Sequence, residues 1–394
     1  MKLSIKTEEL LTSLSAHSVL TKNKGEIKIL DCCRLFADNE EFGVGNVLNI
    51  DSVSSLHDSV SCRTKSICNV EEEGAALVNC EELYKFVLSQ KKSKTITICT
   101  SERKDAWKYL DVIAGTSKVT LKQYDLLEFP DLEGLNYFNA INNGISVKAC
   151  DFITAIERAR LCLSKDESEM KYCNYFLDVK DDNVILISCN RYQLSCNKVQ
   201  IFKTSSPILF KENSFGKREL ISIDPCSLEC VSKLFSNSNY LEIIKKDDYL
   251  CITDYVSKVV VKCKAETFDY ESVIPRLDAY SKFYVRKDDL KRSIKIVSRA
   301  TDKKRTIGLS FKEDCLKIFT TDNFAKYSCS EDVEYEVMRN NDAGIIGFDY
   351  KFLLNAIEKM GRYIFIYALD EDSPIIIENS SCDGCVQVVM PKQI

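Results

Sequence analysis

The chain has 394 residues, of which 45% are hydrophobic and 29% charged, with a net charge of −5. That is enough apolar material for two or three domain cores. No apolar run reaches membrane-spanning length, and Met1-Lys2-Leu3 opens a strand rather than a secretion signal, which predicts a cytoplasmic protein. A charge balance this close to neutral argues against a protein that grips nucleic acid by bulk positive charge, because such proteins are ordinarily basic.

One pattern recurs six times along the chain: alternating apolar residues, a polar cap, then an amphipathic helix. Leu3 and Ile5 lead through Thr7 into a helix over 8–15, and Leu77 leads through Asn79 into one over 81–89. Ile145 and Val147 lead through Asp151 into 152–161, and Ile221 and Ile223 lead through Asp224-Pro225 into 227–235. Phe283 and Val285 lead through Asp288 into 290–298, and Ile345, Ile346 and Phe348 lead through Asp349 into 351–360. The period of roughly 60–75 residues is too long for a solenoid, so each repeat carries strands of its own. After the third helix these are predicted at 174–179, 184–188 and 194–201, and after the fourth at 240–244, 249–253 and 256–262. After the fifth they fall at 307–311, 316–320 and 325–328, and after the sixth at 363–368, 374–378 and 386–390. Each repeat therefore reads β-α-β-β-β, with the alternation of antiparallel sheets buried on one face. Two repeats make a domain, and breaks near 133–143 and 277–282 give an α+β chain of three domains, 1–133, 144–276 and 282–394.

Little in the sequence supports catalysis. The only histidines are His17, at the end of the first helix, and His57, in a serine-rich stretch, which leaves little for acid–base or nucleophilic chemistry. No phosphate loop, HExxH or GxSxG motif occurs. The 19 cysteines, odd in number and set among apolar residues, read as reduced core thiols. Cys382-Asp383-Gly384-Cys385 reads as a hairpin turn, since zinc would need two more ligands. No metal and no cofactor is expected.

The order and spacing of several phrases carry a resemblance. They are Met1-Lys2-Leu3-Ser4-Ile5-Lys6 with Glu9-Leu10-Leu11, Phe129-Pro130-Asp131-Leu132, and Phe268-Asp269-Tyr270 with Val273-Ile274-Pro275. Cys189-Asn190-Arg191-Tyr192-Gln193-Leu194-Ser195 stands where relatives carry a Thr-Asp-Gly-His-Arg-Leu-Ala type run, and Val388-Val389-Met390-Pro391 lies close to the end. Together with the sixfold repeat, these resemble the bacterial DNA sliding clamp family, the beta subunit of DNA polymerase III, over the whole length. The resemblance implies the DNA-clamp (processivity) fold. It further implies a head-to-tail homodimeric ring around duplex DNA, with helices lining the hole and antiparallel sheets outside. Such a ring tethers a polymerase topologically without itself being an enzyme.

Two surfaces follow from the resemblance. Lys291, Lys295 and Arg299 lie on one face of the fifth helix, opposite Leu290, Ile294 and Val297, and are expected to be solvated, with Lys303, Lys304 and Arg305 extending the charge. Arg158 on the third helix and Lys85 on the second would add to a sequence-independent DNA-facing lining, as would Lys24, Lys171 and Tyr172 by resemblance. Taken singly, each helix reads better as an ordinary solvated face. The second surface is an apolar groove for short peptides of polymerase and clamp-loader subunits. One side of it is Cys173, Cys189, Asn190, Tyr192, Gln193 and Leu194, and Pro275 lies at the junction. Phe352, Ile375, Val388, Met390, Pro391 and the tail Lys392-Gln393-Ile394 make the other side. Plain core competes as the reading of Leu194 and Val388; for Tyr192 and Met390 the two readings balance.

The chain departs from the family pattern at Arg191, Gln193 and Gln393 in the groove, and at Arg299 and Ala300, where relatives place apolar residues of the ring interface. These departures keep two alternatives open: a clamp-fold decoy or regulator that does not close a ring, and the clamp of a mobile-element replicon.

Overall fold

The computed structural model describes residues 1–22, 28–40, 45–54, 60–102, 108–132, 134–135, 138, 144–180, 182–204, 219–301, 305–311, 315–320, 328–339, 343–381 and 384–394. Six helices follow the repeat: α1 (Thr7–Leu20), α2 (Cys80–Ser89), α3 (Ala149–Ala159), α4 (Pro225–Leu234), α5 (Lys287–Ser298) and α6 (Tyr350–Glu358).

The even helices start where a short acceptor side chain caps them. Asn79 accepts from the Glu82 amide, Asp224 from Cys226 with Pro225 in the first turn, and Asp349 from Lys351. The odd helices start differently. Asp151 and Asp288, expected as caps, lie inside the first turns of α3 and α5, and Thr7 is the first residue of α1. Their first amides are met by backbone carbonyls from the loop after a partner helix: Thr7 N donates to Lys94 O (3.1 Å), Ala149 N to Asn239 O (3.1 Å) and Lys287 N to Arg362 O (3.0 Å). A carbonyl satisfies an orphan helical amide as well as a side chain does, so the helix begins earlier than the local sequence indicates.

The chain forms two compact units. The first comprises Met1–Ile153, Ile201–Leu209 and Ile223–Lys264, and the second Thr154–Gln200, Phe210–Ser222 and Ala265–Ile394. In the first, an antiparallel sheet runs in spatial order Gly74–Asn79, Cys32–Glu40, Gly45–Ser54, Val60–Ile67, Lys258–Lys262, Tyr249–Thr253, Tyr240–Lys246 and Ile145–Lys148. The pairing of Val60–Ile67 with Lys258–Lys262 makes this one surface out of distant parts of the sequence. A smaller sheet centred on Lys2–Lys6 and Thr95–Glu102 packs over α1 and α2 around Leu3, Leu10, Leu14, Leu83 and Ile96. The equivalent seam in the second unit pairs Gln193–Thr204 with Cys385–Val389, from Gln193↔Val389 to Asn197↔Cys385. There α5 and α6 bury Leu290, Ile294, Leu353 and Ile357 against strands that include Ser281–Arg286 and Tyr363–Ala368.

Two strands fall away from their expected places. The third strand after α5 is Ser330–Arg339 rather than 325–328; Ser328 is outside it, and 325–327 lie outside the described residues. Val256 and Ser257 precede the strand Lys258–Lys262 because the Asp254 carboxylate accepts both of their amides (3.1 and 2.8 Å), closing a turn in which Tyr255 takes φ +71°.

Candidate functional site

In the second unit, Asn190 closes a tight turn at the head of the strand Gln193–Thr204. Its Oδ1 accepts from Tyr192 N (2.9 Å) and Gln193 N (2.8 Å), and its own amide donates to Gln193 O (3.0 Å). Held this way, the Tyr192 ring stands out from the sheet, 54% exposed, and stacks on Phe352 of α6 with centroids 5.3 Å apart and planes at 16°. Met390, 40% exposed, continues the seam by donating its amide to Tyr192 O (2.9 Å). Gln193 turns inward, and its Nε2 donates to Phe352 O (2.8 Å), tying the turn to α6. Tyr192, Phe352 and Met390 are therefore gathered at one place, with Pro391 and Ile394 next along the chain. The tail is seated on a bare strand: Lys392 N donates to Gly347 O (2.8 Å), and a Cβ on Gly347 would stand 2.2 Å from Lys392 O.

Other members of the expected groove support it from within. Cys189, Leu194, Val388 and Ile375 are fully packed, so the core reading holds for Leu194 and Val388. Pro275 lies between Ile274 and Leu277, which pack on the same cluster as Leu194 and Val388. Cys173 is half-buried and its Sγ donates to Asp166 O (3.3 Å). Arg191 is ion-paired to Glu169, so its charge is compensated.

The cationic positions divide. Lys291 is not freely solvated: its side chain is 23% exposed and its Nζ lies 2.6 Å from Glu358 Oε2 of α6. The hydrogen bond from Lys291 holds the Glu358 carboxyl below the usual range against the opposing effect of burial, with the charges of Lys291, Lys295 and Lys287 helping. Arg305 is ion-paired to Asp349 (2.9 Å) rather than adding free charge. Lys295 and Arg299 are exposed and make no ion pair among the described residues. Lys85 pairs with Glu81 one turn away (2.7 Å). Arg158 Nε donates to Lys359 O (2.9 Å) while Glu157 pairs with Lys359 Nζ (2.7 Å), a tie of α3 to the end of α6 that the helix patterns did not disclose. Tyr172 is half-buried edge-on to Phe268, with centroids 6.4 Å apart. Lys171 lies in the 3-10 segment Glu167–Cys173. Lys24, Lys303 and Lys304 lie outside the described residues.

Residues 271–393 match the model of the DNA polymerase III beta subunit, C-terminal domain. Over its whole length the chain is 22% identical to the beta sliding clamp of Rickettsia felis, covering 100% of both sequences. Residues 271–393 thus carry the beta subunit's C-terminal domain, and over its full length the chain is similar to a beta sliding clamp. Its fold agrees: a Caulobacter crescentus beta sliding clamp superposes with a TM-score of 0.81 at 17% identity, covering 100% of this chain and 99% of that one. A Pseudomonas aeruginosa sliding clamp, solved bound to griselimycin, gives 0.81 at 18% identity with 100% of both chains covered.

Among the described residues eleven cysteines are buried, six are half-buried and Cys150 is exposed. Burial pushes Cys162 and Cys196 up to about 12, far from the thiolate that nucleophilic chemistry needs. Cys385 Sγ donates to Asn197 Oδ1 (3.3 Å) inside the seam; Cys382, the other end of the CxxC, lies outside the described residues. His17 is fully enclosed, with Nδ1 2.7 Å from Ser52 Oγ and Nε2 3.0 Å from Thr64 Oγ1. His57 lies outside the described residues.

Proposed function

We propose that this chain is a DNA sliding clamp: a non-catalytic, cytoplasmic processivity factor that closes as a head-to-tail homodimer around duplex DNA. The observation that carries this reading is full-length agreement in fold with sliding clamps from two bacteria, TM-score 0.81 in each, joined to a family match in the last third of the chain. Three domains, 1–133, 144–276 and 282–394, would then supply six around the ring. A ring holds DNA by topology, which suits a chain with net charge −5 that lacks the excess of cations a gripping protein uses. Sedimentation equilibrium of the reduced protein tests closure. A dimer at twice the 44.9 kDa chain mass supports the ring, and a monomer at every concentration would favour the decoy, the reading suggested by exposed Arg299.

The groove reading places polymerase and loader peptides over Tyr192, Phe352 and Met390, whose exposed apolar surface stands on a hydrogen-bonded frame. Replacing Tyr192 and Met390 with Ala should weaken such a peptide by about tenfold or more, since exposed aromatic and Met anchors carry most of an interface's energy. Peptide titration by fluorescence anisotropy reads this, and unchanged affinity would displace the groove from this position.

The DNA-facing reading now rests most firmly on Lys295 and Arg299. Reversing both to Glu should weaken retention on circular DNA with only a small fall in melting temperature, because neither makes an ion pair among the described residues and Lys295 acts on Glu358 only through its charge. Reversing Lys291 is the contrasting case: it would set a carboxylate against Glu358 and lower the melting temperature as well.

A further inference from the structure

A cleft of 1180 Å³ in the first unit opens at the N-terminus of α1, lined among others by Lys6, Thr7, Lys91, Lys92 and Lys94. The helix is 14 residues long, and no side chain caps it: Lys6 stands at the N-cap position without accepting a bond, and only the Thr7 amide has a carbonyl partner, Lys94 O. The amides of a helical first turn carry the positive end of the helix dipole. A second observation is independent of the helix. Thr7 is 3% exposed, and its Oγ1 has no hydrogen-bond partner. A hydroxyl is seldom left this way in a finished core, because an unmade bond in a buried place is costly. The charge points the same way. Lys91, Lys92 and Lys94 are exposed and make no ion pair among the described residues. Of the acids that line the cleft, Glu9 is paired with Lys6 (3.5 Å), and Asp254 is engaged by Ser238 Oγ (2.8 Å) and by the turn amides of Val256 and Ser257. Glu8 alone opposes the three lysines.

We propose that this cleft binds a phosphate group, with the Thr7 hydroxyl and the first-turn amides of α1 donating to its oxygens and Lys91, Lys92 and Lys94 neutralising it. A phosphate has enough acceptor oxygens to engage a hydroxyl, backbone amides and ammonium groups together, and helix N-termini are suited to it. The cleft is larger than one phosphate, so the group comes either on a free nucleotide or on the backbone of a single strand. The proposal does not depend on the clamp reading, because a short linear strand cannot be held by a ring.

The test is anisotropy of a labelled oligothymidine with the full-length protein at low ionic strength, with inorganic phosphate and a nucleoside triphosphate as competitors. Wild type should bind. The triple reversal Lys91→Glu, Lys92→Glu, Lys94→Glu should weaken binding about tenfold or more and flatten its salt dependence. Thr7→Val keeps the side-chain shape and removes only the hydroxyl. It should weaken binding about fivefold, the value of one lost hydrogen bond, while the melting temperature stays level or rises. Displacement by the triphosphate at concentrations where inorganic phosphate does nothing would assign the site to free nucleotides. Resistance to both competitors would assign it to a strand backbone. Absence of binding by all three probes would overturn the proposal. So would full affinity in Thr7→Val, which would reduce the lysines to a general field.

Discussion

Asp51→Ala should cost the first unit about 3–5 kcal/mol of stability, toward the lower end of the range for breaking a buried ion pair. Asp51 is wholly enclosed on the strand Gly45–Ser54 and stands directly across from Arg34 on one side and Arg63 on the other. Its Oδ2 accepts from Arg34 Nη2 (2.7 Å) and Arg63 Nη2 (3.0 Å), and its Oδ1 from Arg63 Nε (2.7 Å). The arginines in turn lie over aromatic faces, Arg34 5.0 Å from the Phe129 ring centroid and Arg63 5.6 Å from that of Phe36. Removing the carboxylate leaves two guanidinium groups facing each other within the sheet. Both reach solvent in part, with side-chain exposures of 30% and 15%, which is why the lower end applies. Arg63 also stands opposite Lys258 in the strand register across the seam, so the loss should spread to the joint between the two parts of the sheet. Urea unfolding followed by circular dichroism measures this. A shift of the first transition by less than about 1 kcal/mol would mean that the carboxylate is replaceable by water, as at exposed pairs.

The second large effect is one of pH. Burial pulls the His17 imidazole down to about 4 from an ordinary 6.5, with the Asp51 carboxylate opposing this. In the folded chain the ring stays neutral between Ser52 and Thr64, whereas the unfolded chain takes up a proton below about 6.5. The unfolded state thus binds more protons between these values, and stability from this group is complete above 6.5. It falls as pH is lowered toward 4 and is level below that. The span corresponds to about 3 kcal/mol, as an order of magnitude. Because carboxylates titrate in the same region, the measurement is a difference: urea midpoints of wild type and His17→Gln compared from pH 7 to pH 4. Gln can still donate to one hydroxyl and accept from the other, but it takes no proton, so its profile should be flatter. Parallel profiles would mean that His17 is protonated in the folded chain.

The six strand–cap–helix repeats could be read locally because both periodicities and the caps are properties of neighbouring residues. Asn79, Asp224 and Asp349 set the starts of α2, α4 and α6 from within their own segments. The stacking faces of the helices were legible for the same reason: Leu290, Ile294 and Val297 recur at helical spacing and are buried. Tyr192 and Met390, the exposed residues of the proposed groove, were reached through the order of whole phrases, since neither carries a local signature.

What the tertiary structure alone decided concerns partners far apart in the chain. The first amides of α1, α3 and α5 are met by carbonyls of Lys94, Asn239 and Arg362, so α1 begins at Thr7 itself and α3 and α5 begin before Asp151 and Asp288, the residues that local sequence offers as caps. Lys291 and Lys295 look alike on a helical wheel. Lys291 is ion-paired to Glu358 of α6, whereas Lys295 is exposed and acts on the same carboxylate only through its charge. The sequence by itself determined the repeated element and its buried face, because those follow from backbone geometry and hydrophobic spacing. Which polar groups were spent on the fold and which were left for a ligand was settled only when distant segments met, since a charge or an amide is satisfied by whatever lies within about 3 Å of it, regardless of separation along the chain.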